Sequence, residues 1–186
     1  LTAKPRVESL TDTPLSIKVV YGDAMGRENV FEMQDLSEQL TNVTFSNAAG
    51  PSDMTIRGLG TGASNPAAEQ SVGMYIDNIY VSRGYQFNAP FLDVERVEVL
   101  KGPQGILAGK NAVAGAVVIH TTRPSEETEG YIRSGYEFEN EGYYVEGAVS
   151  GALTENFYAR LTGQYTEEGG WLDTNTRLSS DGATLR

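Results

Sequence analysis

A glycine-rich loop beside a lysine is the first place in this sequence where chemistry could be expected. Four glycines and Lys110 lie between two β-branched segments within residues 97–122. A P-loop needs the pattern G-x-x-x-x-G-K-[ST], because its backbone N–H groups surround the phosphates and its hydroxyl binds magnesium. Around Gly109-Lys110, however, Gln104 stands in place of the first glycine and Asn111 in place of the hydroxyl residue. The spacing therefore argues against a nucleotide site.

A second glycine pattern, residues 58–62, could in principle open a dinucleotide site. Such a site uses the N-terminus of a helix that directly follows the glycines to bind the pyrophosphate. Here the chain continues as Ala63-Ser64-Asn65-Pro66, which predicts a loop. A glycine-rich nucleotide-binding enzyme is kept only as a distant alternative.

The remaining composition gives little support to catalysis or to a bound cofactor. The chain has no cysteine, so thiol chemistry and thiolate metal sites are excluded. Its one histidine, His120, stands alone in a strand and is predicted to be a packing residue. No nucleophile is paired with a base, and no carboxylates have metal-ligand spacing. The net charge of −11 argues against a nucleic-acid partner. We expect no enzyme, no cofactor and no metal.

The charge distribution divides the chain into two regions. Residues 1–124 carry 13 acidic and 10 basic side chains, whereas residues 125–186 carry 12 acidic and four basic ones. The change falls at the polar, proline-marked segment 123–127, which is typical of a linker. We therefore predict two domains, residues 1–124 and 125–186.

The first region is predicted to be a compact α+β domain with a small mixed sheet. Strands are expected at 15–21, 54–57, 72–77, 78–81, 94–100 and 117–121, with helices after Asp23 and over 35–40. Leu36, Leu40 and Val43 are expected to share one helical face. Two long polar loops, residues 61–70 and 82–90, interrupt the strands, and loops of this length are often functional.

The second region alternates between apolar and polar residues, which predicts β-strands over 130–166. Each segment has about 10 residues, the length that a tilted strand needs to cross a bilayer. A short turn at 154–156 and a long polar stretch from 167 to 182 are typical of outer-membrane barrels, as are aromatics near strand ends. A soluble antiparallel sheet with one face on a core is the alternative. The apolar faces are expected to point away from the first domain.

Several ordered motifs resemble the plug domain of TonB-dependent outer-membrane receptors. They are Thr55-Ile56-Arg57-Gly58-Leu59-Gly60, Met74–Tyr80, Val97–Gly105 and Gly109–Ile119. The resemblance covers nearly the whole chain. It implies a plug followed by the first antiparallel transmembrane strands of a barrel of about 22 strands, which needs more residues than this chain has.

The resemblance also implies roles for individual residues. Arg57 and Lys101 would anchor the plug to carboxylates of the barrel wall, although the family commonly has arginine at the position of Lys101. The outward loops would contact the ligand, and the predicted contacts are Asn65, Gln70, Arg83, Tyr85, Gln86 and Phe87. An arginine beside aromatic rings suits an anionic, aromatic-rich chelate.

By resemblance, the protein is expected to be a receptor for active uptake in the outer membrane of a Gram-negative cell. The implied cargo is an iron–siderophore complex, and cobalamin, a glycan or another nutrient is the alternative. The implied partners are outer-membrane lipid and the TonB energy-transducing protein in the periplasm. The plug would face both the periplasm and the extracellular ligand.

Overall fold

The chain forms two compact units, residues 1–123 and 124–186. A computed structural model describes residues 16–46, 52–60, 70–81, 84–103, 112–137 and 142–167, although not the side chains of 84, 85 and 137. The sequence places the boundary one residue later, after Pro124. The first unit contains two β-sheets and the second contains one.

In its described residues, the first unit combines two short helices with eight strands. The helices are α1 (Gly22–Arg27) and α2 (Met33–Glu38), and a single 3-10 turn spans Gly84–Asn88. The strands are β1 (Ser16–Tyr21), β2 (Val43–Ser46), β3 (Asp53–Ile56), β4 (Leu59–Gly60), β5 (Val72–Ile76), β6 (Ile79–Val81), β7 (Val94–Lys101) and β8 (Gly115–Thr121).

The main sheet of this unit has the strand order β1-β7-β8-β5-β6. Strands β5 and β8 run parallel, while the other neighbouring strands run antiparallel. The predicted mixed sheet containing residues 94–100 and 117–121 is therefore confirmed. A second, small sheet has the order β2-β3-β4.

The core lies on one face of the main sheet. Val97 and Val99 on β7 and Val117 and Ile119 on β8 are at most 4% exposed. They belong to one apolar cluster with side chains from both helices and from the small sheet. All four methionines of the chain are buried in this cluster: Met25, Met33, Met54 and Met74. Flexible thioether side chains suit the irregular space between helices and sheet.

Helix α2 begins two residues before its predicted start. The Asp35 Oδ2 atom accepts hydrogen bonds from the backbone N–H groups of Phe31, at 2.8 Å, and Glu32, at 3.1 Å. The Glu32 side chain accepts from the N–H of Asp35 in return, so the two residues form a capping box. The three residues do not share a helical face as predicted, because α2 ends at Glu38 and only Leu36 lies on it. Leu40 lies in the turn after the helix and Val43 in β2, and all three are buried.

Two hairpins in this unit close with two-residue turns. Asp77 and Asn78 have φ angles of 47° and 70°, and Arg57 and Gly58 have φ angles of 54° and 77°. Positive φ at both central residues is the mark of a type I′ turn, which matches the twist of the flanking strands. Asp77 and Asn78 were expected to be strand residues, and this expectation was wrong because the chain reverses there.

The described residues of the second unit form a three-stranded antiparallel sheet with the order β11-β10-β9. Its strands are β9 (Glu129–Glu137), β10 (Gly142–Thr154) and β11 (Phe157–Glu167). The β-strands predicted over 130–166 are therefore confirmed. The strands are 9, 13 and 11 residues long, which agrees with the length of membrane-crossing β-strands.

One face of this sheet is apolar and exposed. Val145 pairs with Tyr165, and Val149 pairs with Leu161, so that these side chains form a continuous strip. Val149 is 52% exposed, Leu161 73% and Ile132 83%. Tyr136, Tyr143 and Tyr165 lie on the same face at one end of the sheet. No side chain of the described residues covers this strip completely.

A glycine on the opposite face lies under an aromatic ring. Gly135 on β9 pairs directly with Tyr144 on β10. A Cβ atom added at Gly135 would lie 2.2 Å from a ring carbon of Tyr144, which is far below van der Waals contact. The ring thus takes the space that a side chain at residue 135 would fill.

Candidate functional site

Arg57, the first of the two predicted anchoring cations, lies at the tip of the β3–β4 hairpin. Its backbone N–H donates to the carbonyl oxygen of Asn42 over 2.8 Å, and its side chain is exposed. Its positive φ is unfavourable for a residue with a long side chain. The hairpin therefore holds this arginine at a fixed position and points it into solvent.

Lys101, the second predicted cation, ends the central strand β7 and reaches the same turn. Its Nζ atom donates to the backbone carbonyl oxygen of Thr41 over 2.6 Å. Thr41 precedes Asn42, the residue that accepts from Arg57. The structure thus brings both predicted cations to the turn that connects α2 to β2. Their pairing with carboxylates of a barrel wall stays a prediction.

The predicted ligand contacts fall into different environments. Asn65 and Arg83 lie outside the described residues, as does the side chain of Tyr85. Gln86 is exposed, and its contact role stays a prediction. Gln70 is 7% exposed, and its Oε1 atom is buried without a hydrogen-bond partner in the part of the chain that is described. A buried, unpaired carbonyl oxygen is costly, so this atom is suited to accept a hydrogen bond.

Phe87 is a core residue in this structure. It is 1% exposed and belongs to the main apolar cluster of the first unit. The next residue, Asn88, accepts a hydrogen bond from the Ser52 hydroxyl, and Ser52 is fully buried. These contacts fix the 3-10 turn Gly84–Asn88 to the core. Sequence reasoning placed Phe87 among the ligand contacts and missed the roles of Ser52 and Asn88, for which no local pattern gave a signal.

A charged cluster that the sequence did not indicate lies on the other face of the main sheet. Glu98 Oε1 lies 2.8 Å from Arg96 Nε and 3.2 Å from His120 Nε2. Arg96 also pairs with Glu95 at 2.8 Å. Alternation along β7 was visible in the sequence, but the neighbours across the sheet depend on the register. His120 therefore has a charged neighbour and not only a packing role.

Asp77, in the turn between β5 and β6, binds the end of β8. Its carboxylate accepts from the Thr121 N–H at 3.0 Å and from the Thr121 hydroxyl at 2.6 Å. Partial burial raises the pKa of Asp77, but these hydrogen bonds and the charges of His120 and Arg123 outweigh it, so the pKa lies below its usual value. The ionised carboxylate thus holds the edge hairpin to the sheet.

The second unit has a polar face opposite its apolar strip. The hydroxyl of Tyr131 donates to Glu146, which is 5% exposed, and the Arg133 guanidinium lies 4.4 Å from the centroid of the Tyr131 ring. Arg160 pairs with Glu129 over 3.4 Å. The sequence predicted the alternation of faces but not these contacts across the strands.

Among the described residues, no group of three or more metal-binding side chains is found. Gly58 and Leu59 lie in a hairpin and not between a strand and a helix, so they offer no helix N-terminus to a pyrophosphate. The Gly109-Lys110 pair lies outside the described residues. None of the described helices is long and apolar enough to span a membrane.

Comparison with known families gives one match over more than half of the chain. The model of the TonB-dependent receptor plug domain matches residues 9–116. These residues include both predicted cations and both predicted ligand loops.

Curated relatives extend the similarity into the second unit. An iron-regulated outer membrane virulence protein of Vibrio cholerae is 21% identical over 183 residues, which cover 90% of this chain and 28% of that protein. The pesticin receptor of Yersinia pestis is 26% identical, covering 82% of this chain and 24% of its own length. The chain therefore spans less than a third of the length of these relatives.

Solved structures show the same fold. The ferric yersiniabactin uptake receptor of Yersinia pestis has a TM-score of 0.73 at 25% identity, over 81% of this chain and 24% of that one. The pyoverdine outer membrane receptor of Pseudomonas aeruginosa has a TM-score of 0.71 at 24% identity, over 87% of this chain and 23% of that one. Both structural matches cover a larger share of this chain than the match to the plug-domain model does.

Proposed function

This chain belongs to the TonB-dependent receptor plug domain family, and from that membership we propose that it forms the plug and the first barrel strands of a receptor in the outer membrane of a Gram-negative cell. The receptor would take up a scarce solute, and a ferric siderophore is the cargo that we favour. The proposed partners are outer-membrane lipid and the TonB protein of the periplasm.

The exposed apolar strip of β9–β11 is the observation that carries the membrane part of this proposal. A soluble sheet would bury such a face against a core, whereas Ile132 is 83% exposed and Leu161 73%. Outer-membrane strands present apolar side chains to lipid and polar side chains to the interior, which is the alternation observed here. Tyrosines at one end of the strip suit the membrane interface.

The names of the relatives support iron as the cargo. They include an iron-regulated outer membrane protein, a hemin receptor and a ferric-pyoverdine receptor. Arg83 and its aromatic neighbours would bind an anionic chelate through charge and ring contact. Cobalamin, a glycan or another nutrient is the alternative cargo, since these relatives share at most 28% of their residues with this chain.

The first test separates recognition from anchoring in the full-length receptor that contains this chain. Replacing Arg83 and Tyr85 together by alanine is expected to weaken whole-cell binding of a ferric siderophore and to spare the fold. Arg57→Ala is expected to leave binding nearly unchanged and to impair energised uptake. If Arg57→Ala abolished binding while the double variant bound normally, this division of roles would be wrong.

The second test concerns the membrane and uses two positions on the same strand. Leu161→Arg places a charge on the exposed apolar strip, whereas Gln164→Arg places it on the polar face. Arginine at the bilayer midplane costs about 2–4 kcal/mol, whereas substitutions toward the barrel interior are tolerated. Outer-membrane yield, measured by heat-modified electrophoretic mobility, should fall only for Leu161→Arg. Equal yields would contradict the assignment of this face to lipid.

A further inference from the structure

We propose that Ser52, a buried residue outside both predicted ligand loops, is a positioning residue that holds Gln86 in place for ligand recognition. Ser52 lies directly before β3, and its hydroxyl donates a hydrogen bond to the side-chain oxygen of Asn88 in the 82–90 loop. The two residues are 36 positions apart in the sequence. The recognition role rests on the proposed function, whereas the order of the turn is measurable without any ligand.

The 3-10 turn Gly84–Asn88 gives its side chains fixed and different directions. A 3-10 helix has three residues per turn, so neighbouring side chains point about 120° apart. Phe87 is 1% exposed and packs in the main apolar cluster, whereas Gln86 is exposed. Asn88, on the other side of Phe87, is partly buried and bonds to Ser52. The directions of Phe87 and Asn88 together therefore determine the direction of Gln86.

The Ser52 hydroxyl supplies the directional part of this arrangement. Ser52 is 0% exposed, so bulk water does not replace the bond to Asn88, and losing a buried hydrogen bond is unfavourable. Burial of Phe87 alone would not fix the rotation of the turn, because the hydrophobic effect has no direction. A hydrogen bond does have a preferred direction. The bond thus favours one rotational position of the turn.

The end of the same loop is bound to the start of helix α2. The N–H of Phe91 donates to the carbonyl oxygen of Phe31 over 2.6 Å, and Phe91 is 8% exposed. Phe31 in turn donates its own N–H to the Asp35 carboxylate that caps the helix. The second half of the loop is therefore held on one side by the segment before β3 and on the other side by α2.

A loop that is already held in place favours binding. A mobile loop loses conformational freedom when a ligand orders it, and this loss reduces the affinity. A turn fixed by Ser52 and Phe87 has lost most of that freedom before the ligand arrives. Ser52 is thus expected to raise the affinity for the ligand without touching it, whereas Gln86 is the predicted contact.

Two measurements on the full-length receptor that contains this chain test the role of Ser52. Amide hydrogen exchange of the segment 84–90 is followed by mass spectrometry, and Ser52→Ala is expected to speed it at least about fivefold. Whole-cell binding is measured with three ferric siderophores of catecholate, hydroxamate and mixed type, loaded with radiolabelled iron. Ser52→Ala is expected to weaken retention of the bound chelate about tenfold.

Three further variants separate positioning from a general loss of stability. Thr55→Val removes a hydroxyl from β3 itself and should change neither readout. Val20→Ala removes buried apolar atoms from β1 and destabilises the same unit, but its affinity should stay within about twofold of the unaltered receptor. Ser52→Cys keeps the size of the side chain and a weak donor, so both of its readouts should lie between those of serine and alanine.

Unchanged exchange of the segment 84–90 in Ser52→Ala overturns the positioning contact itself. Faster exchange with unaltered affinity, or an equal loss of affinity in Val20→Ala, shows that Ser52 only stabilises the fold and overturns its role in recognition. If the unaltered receptor retains none of the three chelates, the proposed function fails, and the exchange result then decides alone whether Ser52 orders the turn. The two failures are therefore distinguished.

Discussion

The Lys101 side-chain nitrogen donates a hydrogen bond to the backbone carbonyl oxygen of Thr41 across 2.6 Å. This bond connects the end of the central strand to the turn after α2, which also accepts the N–H of Arg57 through Asn42. Lys101 was predicted to pair with carboxylates of a barrel wall. In this structure it also binds within its own unit. An ammonium group has three donors, so both roles are compatible.

Removing the Lys101 ammonium should destabilise the first unit. Lys101→Met keeps the apolar length of the side chain but loses the bond to Thr41, which is expected to lower the free energy of unfolding by about 1 kcal/mol. Lys18→Met, on an exposed position of β1, is the control and should change it by less than about 0.5 kcal/mol. Urea unfolding measures both. Equal losses would show that the bond to Thr41 does not stabilise the fold.

The left-handed backbone conformation at residue 57 should be unfavourable for an arginine. The left-handed conformation costs an ordinary L-residue about 1–2 kcal/mol, and asparagine tolerates it better. Arg57→Asn and Arg57→Ala both remove the charge, but only asparagine suits the turn. The asparagine variant is expected to be more stable than the alanine variant by about 0.5–1 kcal/mol. Equal midpoints in urea unfolding would mean that the turn is not strained at this residue.

Asp77 should make stability depend on pH in acid. Its pKa is lowered in the folded chain from a reference value of 3.8. A lowered folded pKa means that the stabilisation is present above the unfolded pKa and is lost as the pH falls through the folded one. The stability difference between the unaltered chain and Asp77→Asn, which keeps the turn, should therefore be present at neutral pH and shrink below about pH 4. Denaturant unfolding from pH 7 to pH 3 measures this difference.

The control for the acid experiment is Glu126→Gln, an exposed position in the linker. It should show no comparable change in the stability difference over this range. A difference for Asp77→Asn that stays constant from pH 7 to pH 3 would contradict a role for the ionised carboxylate.

Alanine substitutions at the neighbouring residues Phe87 and Gln86 should affect stability differently, because Phe87 is buried in the core and Gln86 is exposed. Phe87→Ala removes a buried ring and is expected to lower the free energy of unfolding by about 3–5 kcal/mol. Gln86→Ala, at an exposed position, should cost less than about 1 kcal/mol. Thermal unfolding followed by circular dichroism compares them. Similar losses of stability in the two variants would contradict the placement of Phe87 in the core.

Much of the fold could be predicted because alternation and length identify strands. The strands around Val97 and Val117 and the three strands of the second unit have this signal, since side chains alternate strictly along a strand. The hairpin at Asp77-Asn78 also had a local signal, because these residues favour positive φ, yet the run of apolar residues on both sides obscured it.

Fewer contacts of the candidate site could be predicted from the sequence. Phe87 lies in a polar segment, and its burial depends on how the 3-10 turn packs on the core. Likewise, the pairing of Glu98 with His120 follows from strand register, and the bond from Lys101 to Thr41 joins residues 60 positions apart. Such contacts depend on tertiary structure, and no local periodicity encodes them.

The Gly135–Tyr144 pair has a consequence for how this sequence can vary. Because the ring of Tyr144 occupies the space above Gly135, any larger residue at 135 would force the ring to rotate away. Replacing Tyr144 alone by a smaller residue would leave the backbone of Gly135 without a packed side chain above it. Each single change is therefore unfavourable while the joint change is tolerated. Across related sequences, residues 135 and 144 are expected to covary, with a small residue at one position accompanying an aromatic ring at the other.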